Sequence, residues 1–171
     1  HASTDTLKLR LLIEYSDYCE ISDIPTYTDL AIKLANKLMY SNKYDYGTIL
    51  RQKAMANNNN GYYYHYMGQQ RESIKYYTLS IEQFSQIPDS SYISLVYNNL
   101  AMVYNDIGNI DTAKALLTLA ESICITQSDN ERLLQTYSNL STFYNKYGDY
   151  EKSIQYSSKI IDIQTGFNDI D

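Results

Sequence analysis

Apolar and small residues recur along this chain at intervals of three and four, the spacing that stacks side chains on one face of an α-helix. The pattern predicts eight helices, over about 5–22, 26–40, 46–66, 69–86, 90–107, 109–126, 129–147 and 149–165. Asp89, Ser90, Ser128 and Asp129 stand at helix starts as candidate N-caps. Only two prolines and six glycines interrupt 171 residues, so the elements are long and the breaks few.

The helices repeat. Tyr97-Asn98-Asn99-Leu100-Ala101-Met102-Val103-Tyr104 runs to a turn at Gly108-Asn109. Forty residues later Tyr137-Ser138-Asn139-Leu140-Ser141-Thr142-Phe143-Tyr144 runs to Gly148-Asp149. Forty residues earlier the block beginning Asn57-Asn58-Asn59-Asn60-Gly61 runs through Tyr64 to Gly68-Gln69, with Asn57 and Asn60 as departures from the aromatic and the leucine. Twelve residues after each small residue comes another: Gly61 and Ser73, Ala101 and Ala113, Ser141 and Ser153. A degenerate first copy carries Tyr15, Tyr18, Cys19 and Ala31, 42 residues before the next, with Pro25 and Thr26 where the others have glycine. Each block reads as a first helix (A), a turn and a second helix (B). The small residues let A and B approach, and glycine supplies the turn. A lone pair of this kind cannot bury its apolar face, so neighbours must stack.

These blocks resemble the tetratricopeptide-repeat family over about residues 5–166. The resemblance implies an all-α, right-handed α-solenoid of about four helix pairs. The period of 40–42 is longer than the family's usual 34. It also implies a non-catalytic module that binds a protein or an extended peptide on a concave face lined by the A helices. Longer-period arrays of this type resemble the sensor regions of bacterial two-component sensor kinases and transcriptional regulators. The alternative function is therefore the ligand-sensing N-terminal region of such a receptor, periplasmic in that case and cytoplasmic otherwise. Chaperone-binding members of the family place Lys and Arg on the groove, but the matching positions here hold Asp, Glu, Asn, Ser, Tyr and Met, with only Lys146 basic.

Register names the groove candidates. Two residues before the small position stand Asp17, Asn59, Asn99 and Asn139; one after it, Glu20, Tyr62, Met102 and Thr142; four after it, Asp23, His65, Asn105 and Asn145. Successive rungs are expected about 10 Å apart. An amide both donates and accepts, so an asparagine row suits the backbone of an extended peptide whatever its side chains. The competing reading is structural, with the same amides bonding neighbouring helices. Tyr62 and Tyr66 add flat apolar area, and Asp17, Glu20 and Asp23 suit a basic residue on the ligand. Tyr64, Tyr104 and Tyr144 read as core.

Composition narrows the chemistry. The net charge is −6, which argues against a nucleic-acid partner. No apolar run approaches the roughly 18 residues a membrane span needs. Two histidines, His1 and His65, offer no metal cluster, and neither a phosphate loop nor a nucleophile motif occurs, so no enzyme, metal or cofactor is expected. Asp17, Glu20 and Asp23, at spacings of three on one helix, could hold a cation or act as an acid/base pair, against the plainer reading of a solvated acidic end. Cys19 and Cys124 read as small buried hydrophobes, with a disulfide as the alternative. Residues 1–4 read as a tag remnant or leader, and 5–171 as one domain excised from a longer protein. Ile160, Ile161, Ile163 and Phe167 are expected to leave an uncapped end that a second copy could cover.

Overall fold

The computed structural model describes residues 4–41, 43–88 and 92–168, with side chains through Gly166. Eight α-helices and no strand occur among the described residues: α1 Thr4–Tyr18, α2 Ile24–Met39, α3 Tyr46–Tyr66, α4 Gln70–Phe84, α5 Tyr92–Asp106, α6 Ile110–Thr126, α7 Asn130–Lys146 and α8 Tyr150–Asn168. The odd-numbered helices are the A helices of the sequence pattern and the even-numbered ones the B helices. They form two compact units, residues 1–90 with α1 to α4 and residues 91–171 with α5 to α8.

The turns follow from local chemistry. Gly68, Gly108 and Gly148 take φ of +70°, +80° and +79°, the left-handed conformation that closes a helix C-terminus at least cost to glycine. At the first of them the Gly68 amide donates to the His65 carbonyl at 2.9 Å and the next amide, Gln69, to Tyr64 at 2.8 Å. Between α6 and α7 the same geometry falls on Ser128, at φ +52°. Ser128 is therefore the left-handed residue ending α6 rather than an N-cap, and Asp129 alone caps α7 by accepting from the Arg132 amide. Asn109 caps α6 and Asp45 caps α3 in the same way. Asp89 and Ser90 lie outside the described residues.

The first turn departs from expectation. α1 stops at Tyr18, Glu20 is extended, and a short 3-10 turn spans Ile21–Asp23 before Pro25 enters the first turn of α2. With no glycine to reverse the chain tightly, the reversal takes more residues. Proline suits the first helical turn, where its missing N–H is not needed.

The small-residue pairs meet as the spacing demanded. The Ser73 hydroxyl donates to the Gly61 carbonyl at 2.8 Å, Ala101 and Ala113 are both fully buried, and Ser141 lies 3.1 Å from the Ser153 hydroxyl. In the first unit Leu9, Ile13, Ala31, Ala35, Leu38 and Ile49 build the core. In the second, Leu117, Cys124, Tyr137, Leu140, Phe143 and Tyr144 do so, with Tyr104, Ile160 and Ile163 packed against them. Both cysteines are free thiols, Cys124 buried and Cys19 half-buried. No helix among the described residues is long and apolar enough to cross a membrane.

Candidate functional site

In the second unit α5 and α7 lie side by side, joined by a buried polar seam. The Asn139 amide donates to Asn98 Oδ1 at 3.0 Å and accepts from Gln135 at 3.2 Å. Asn98 in turn donates to the Thr136 hydroxyl at 2.8 Å and the Ser94 carbonyl at 3.0 Å. Beside this seam opens a cleft of about 150 Å³. Ala101, Leu117 and Phe143 supply apolar lining, Met102, Asn105, Asn139 and Thr142 polar and flexible lining, and Asp106 and Lys146 complete it. Four of the six sequence candidates in this unit thus converge on one cavity. Met102 is 49% exposed and Thr142 is exposed, so the opening faces solvent. Asn105 Oδ1 accepts from the Tyr147 hydroxyl at 2.7 Å. Its two N–H groups, like the Thr142 hydroxyl, have no hydrogen-bond acceptor among the described residues and stay available to a ligand. Asn99 is half-buried and Asn145 exposed, and neither lines the cleft.

The first unit treats the same positions differently. Asn59 is only 7% exposed, and its amide donates to Ser16 Oγ at 2.8 Å and to Asp17 Oδ1 at 2.6 Å while accepting from Asn58 at 3.1 Å. The expectation of an open amide at Asn59 is corrected: this rung is an inter-helix tie. The tie is the counterpart of the one in the second unit. Asn59 matches Asn139, and Ser16, allowing for the 42-residue first interval, matches Asn98. At both places the later A helix donates to the side chain three residues before the small position of the earlier one.

Glu20 and Asp23 are exposed, but they belong to the turn rather than to α1, so the three acids do not share a helical face. The described residues hold no group of three potential metal ligands. Partial burial raises the Asp17 carboxyl above its ordinary value; the Asn59 bond offsets this and Glu14 adds to it. Tyr62 is 47% exposed, Tyr66 is exposed, and His65 is half-buried. A second cavity of about 200 Å³ opens between α1 and α3, lined by Thr6, Leu7, Leu9, Arg10, Thr48, Ile49 and Gln52. None of these carries a repeat-register signal, so pattern reading did not find it. Phe143 was also missed as a cleft residue, although it follows Thr142 directly on α7, whereas Lys146 was already the one basic residue among the groove positions.

Comparison with known proteins gives the class. Sequence models of the tetratricopeptide repeat match residues 52–126 and 134–166, together more than half of the chain. The chain belongs to the tetratricopeptide-repeat family. Among solved structures it is similar to BtubC (BKLC) from P. vanneervenii, with a TM-score of 0.72 and 21% identity, covering 96% of this chain and 64% of that one. It is also similar to the MamA protein, with a TM-score of 0.55 and 14% identity over 96% of each chain. These likenesses show the α-solenoid repeat fold, and the chain spans less than two thirds of the BtubC structure. No curated protein matches the sequence significantly. Repeats of this family make protein-interaction modules and are in general non-catalytic scaffolds.

Proposed function

We propose that the chain is a non-catalytic module that captures an extended peptide on its A helices, with the α5–α7 cleft as the anchoring pocket. The observation that carries this reading is the convergence of Met102, Asn105, Asn139 and Thr142 on one solvent-facing cavity with apolar lining. A cavity of this size accepts one aliphatic side chain, whose burial contributes about 1.5–3 kcal/mol. The free N–H groups of Asn105 and the Thr142 hydroxyl then bond the peptide backbone on either side of that anchor, each adding about 0.5–1.5 kcal/mol. Asn139 shapes the wall but, with both ends of its amide engaged, adds little. Asn99 and Asn145 flank the cleft along the same two helices. In the first unit Asp17 at the end of α1 and Glu20 and Asp23 in the turn after it, with Tyr62 and His65 on α3, suit a basic side chain.

Selection of displayed random peptides against the intact chain tests this. The expected outcome is a family of peptides sharing one aliphatic residue, with binding weakened at least tenfold, about 1.4 kcal/mol, by Met102→Arg or Thr142→Arg. Selected peptides that bind both variants as well as the native chain would place recognition elsewhere.

A further inference from the structure

The helix α8 has two apolar faces. One packs inward: Tyr156, Ile160 and Ile163 join the core of the second unit. Ser153 and Ser157 meet Ser141 of α7. On the other side Tyr150, Ile154 and Ile161 are 63%, 65% and 58% exposed, and none of the described residues of α8 is fully buried. Successive steps of four and seven residues from Tyr150 to Ile161 keep these three on one stripe.

The chain itself shows what such a face meets. Glu121 stands on α6 forty residues before Ile161. It accepts from the Tyr156 hydroxyl and from the Lys159 ammonium of α8, both at 3.2 Å. The position held by Ile161 is therefore one through which a B helix meets the B helix of the following pair, and that helix approaches with a lysine.

Charge selects the occupant. Both lysines of α8 are engaged, Lys152 with Asp149 at 2.5 Å and Lys159 with Glu121. Glu151 and Asp162, which border the exposed stripe on one side, have no ion pair among the described residues. The outward face is thus an aliphatic stripe with an acidic edge. A second α8 packed against it antiparallel, Ile154 on Ile161, would bring Glu151 of one copy beside Asp162 of the other, which is unfavourable. We propose that this face docks an amphipathic helix of a partner protein, one that lays an aliphatic stripe on Ile154 and Ile161 and sets Lys or Arg against Glu151 and Asp162.

Titration of the intact chain into a labelled synthetic helix with a leucine stripe and lysine flanks, read by fluorescence anisotropy, tests this. Binding is expected to fall about tenfold or more in Ile154→Ser/Ile161→Ser, where every charge remains. In Glu151→Gln/Asp162→Asn it is expected to weaken and to lose much of its salt dependence. Thr142→Arg, which disables the α5–α7 cleft, should leave this binding unchanged. All the substituted residues are exposed, and far-UV circular dichroism checks that the fold is retained. Equal binding of a scrambled peptide with the same lysines, equal binding of a glutamate-flanked helix, or indifference to both double variants would overturn the proposal. So would sedimentation showing a dimer of the native chain that Ile154→Ser/Ile161→Ser dissolves, because a second copy would then be the occupant.

Discussion

The second A helices of the two units, α3 and α7, solve the same packing problem with opposite chemistry. α7 seats Tyr137 and Leu140 in an apolar core. At the matching positions α3 buries Asn57 and Asn60, 4% and 3% exposed. A buried amide is costly unless its hydrogen bonds are made, and here each has a partner. Asn57 donates to Gln83 at 2.8 Å, and the Thr28 hydroxyl lies 2.6 Å from Asn60 Oδ1. Gln83 itself stands eighty residues before Ile163, which packs against the core cluster that holds Tyr137 in the second unit. The polar pair Asn57–Gln83 therefore replaces an apolar pair at both ends. Volume is exchanged as well: Gly61 faces the buried ring of Tyr77, whereas the matching positions hold Ala101 and Leu117, both in the core cluster of the second unit. The comparison teaches that a repeat position constrains the fit between two residues more than the identity of either.

The largest effect expected on breaking the comparison is at the apolar end. Leu140→Ala should cost about 2–5 kcal/mol by cavity formation, measured by urea denaturation. Gly61→Ala comes next. Its Cβ would stand 2.6–2.8 Å from Tyr77, and the overpacking should cost about 1–3 kcal/mol, reduced by the roughly 1 kcal/mol that alanine gains over glycine in a helix. Adding Tyr77→Leu, which recreates the Ala101–Leu117 pairing, should return most of the loss. A double variant no better than the single one would show that Tyr77 is not the obstacle.

Asn57→Leu should cost about 1–3 kcal/mol by stranding Gln83. Gln83→Ile on top of it should recover stability, so a double-mutant cycle is expected to show strong coupling. Additive losses would break the claim that the pair is exchanged as a unit. A smaller, conditional effect concerns alkaline pH. Burial raises the Tyr77 phenol well above its ordinary value of 10.0. Below pH 10 the phenol is protonated in both states; above it the unfolded chain ionises while the folded one resists, so stability falls as pH rises. Tyr77→Phe should flatten that decline in denaturation curves collected on either side of pH 10. The smallest effect on stability belongs to the cleft. Met102→Arg and Thr142→Arg, at exposed sites, should shift stability by no more than about 0.5 kcal/mol while weakening peptide capture.

The repeat also shows where pattern reading succeeds and fails. The Gly68, Gly108 and Gly148 turns, and the 12-residue pairs Gly61–Ser73 and Ser141–Ser153, were legible because they depend on residues close in sequence. Convergence of Met102, Asn105 and Thr142 was legible because register fixes direction on successive A helices. The exit of α1 at Tyr18 was not, since a three-residue acidic spacing looks the same on a helix and across its end.

The sequence by itself determined eight helices, their pairing and the direction in which each repeat position points, because helical periodicity and turn chemistry act over a few residues. Only the tertiary structure decided which asparagines are free. The amides of Asn59 and Asn139 are taken by Ser16, Asp17 and Asn98, residues more than forty positions away. A helical phase can aim an amide at a neighbouring helix or at an open cleft with the same sequence signature. The partner that separates a tie from a binding rung is brought within bonding distance only when the helices pack.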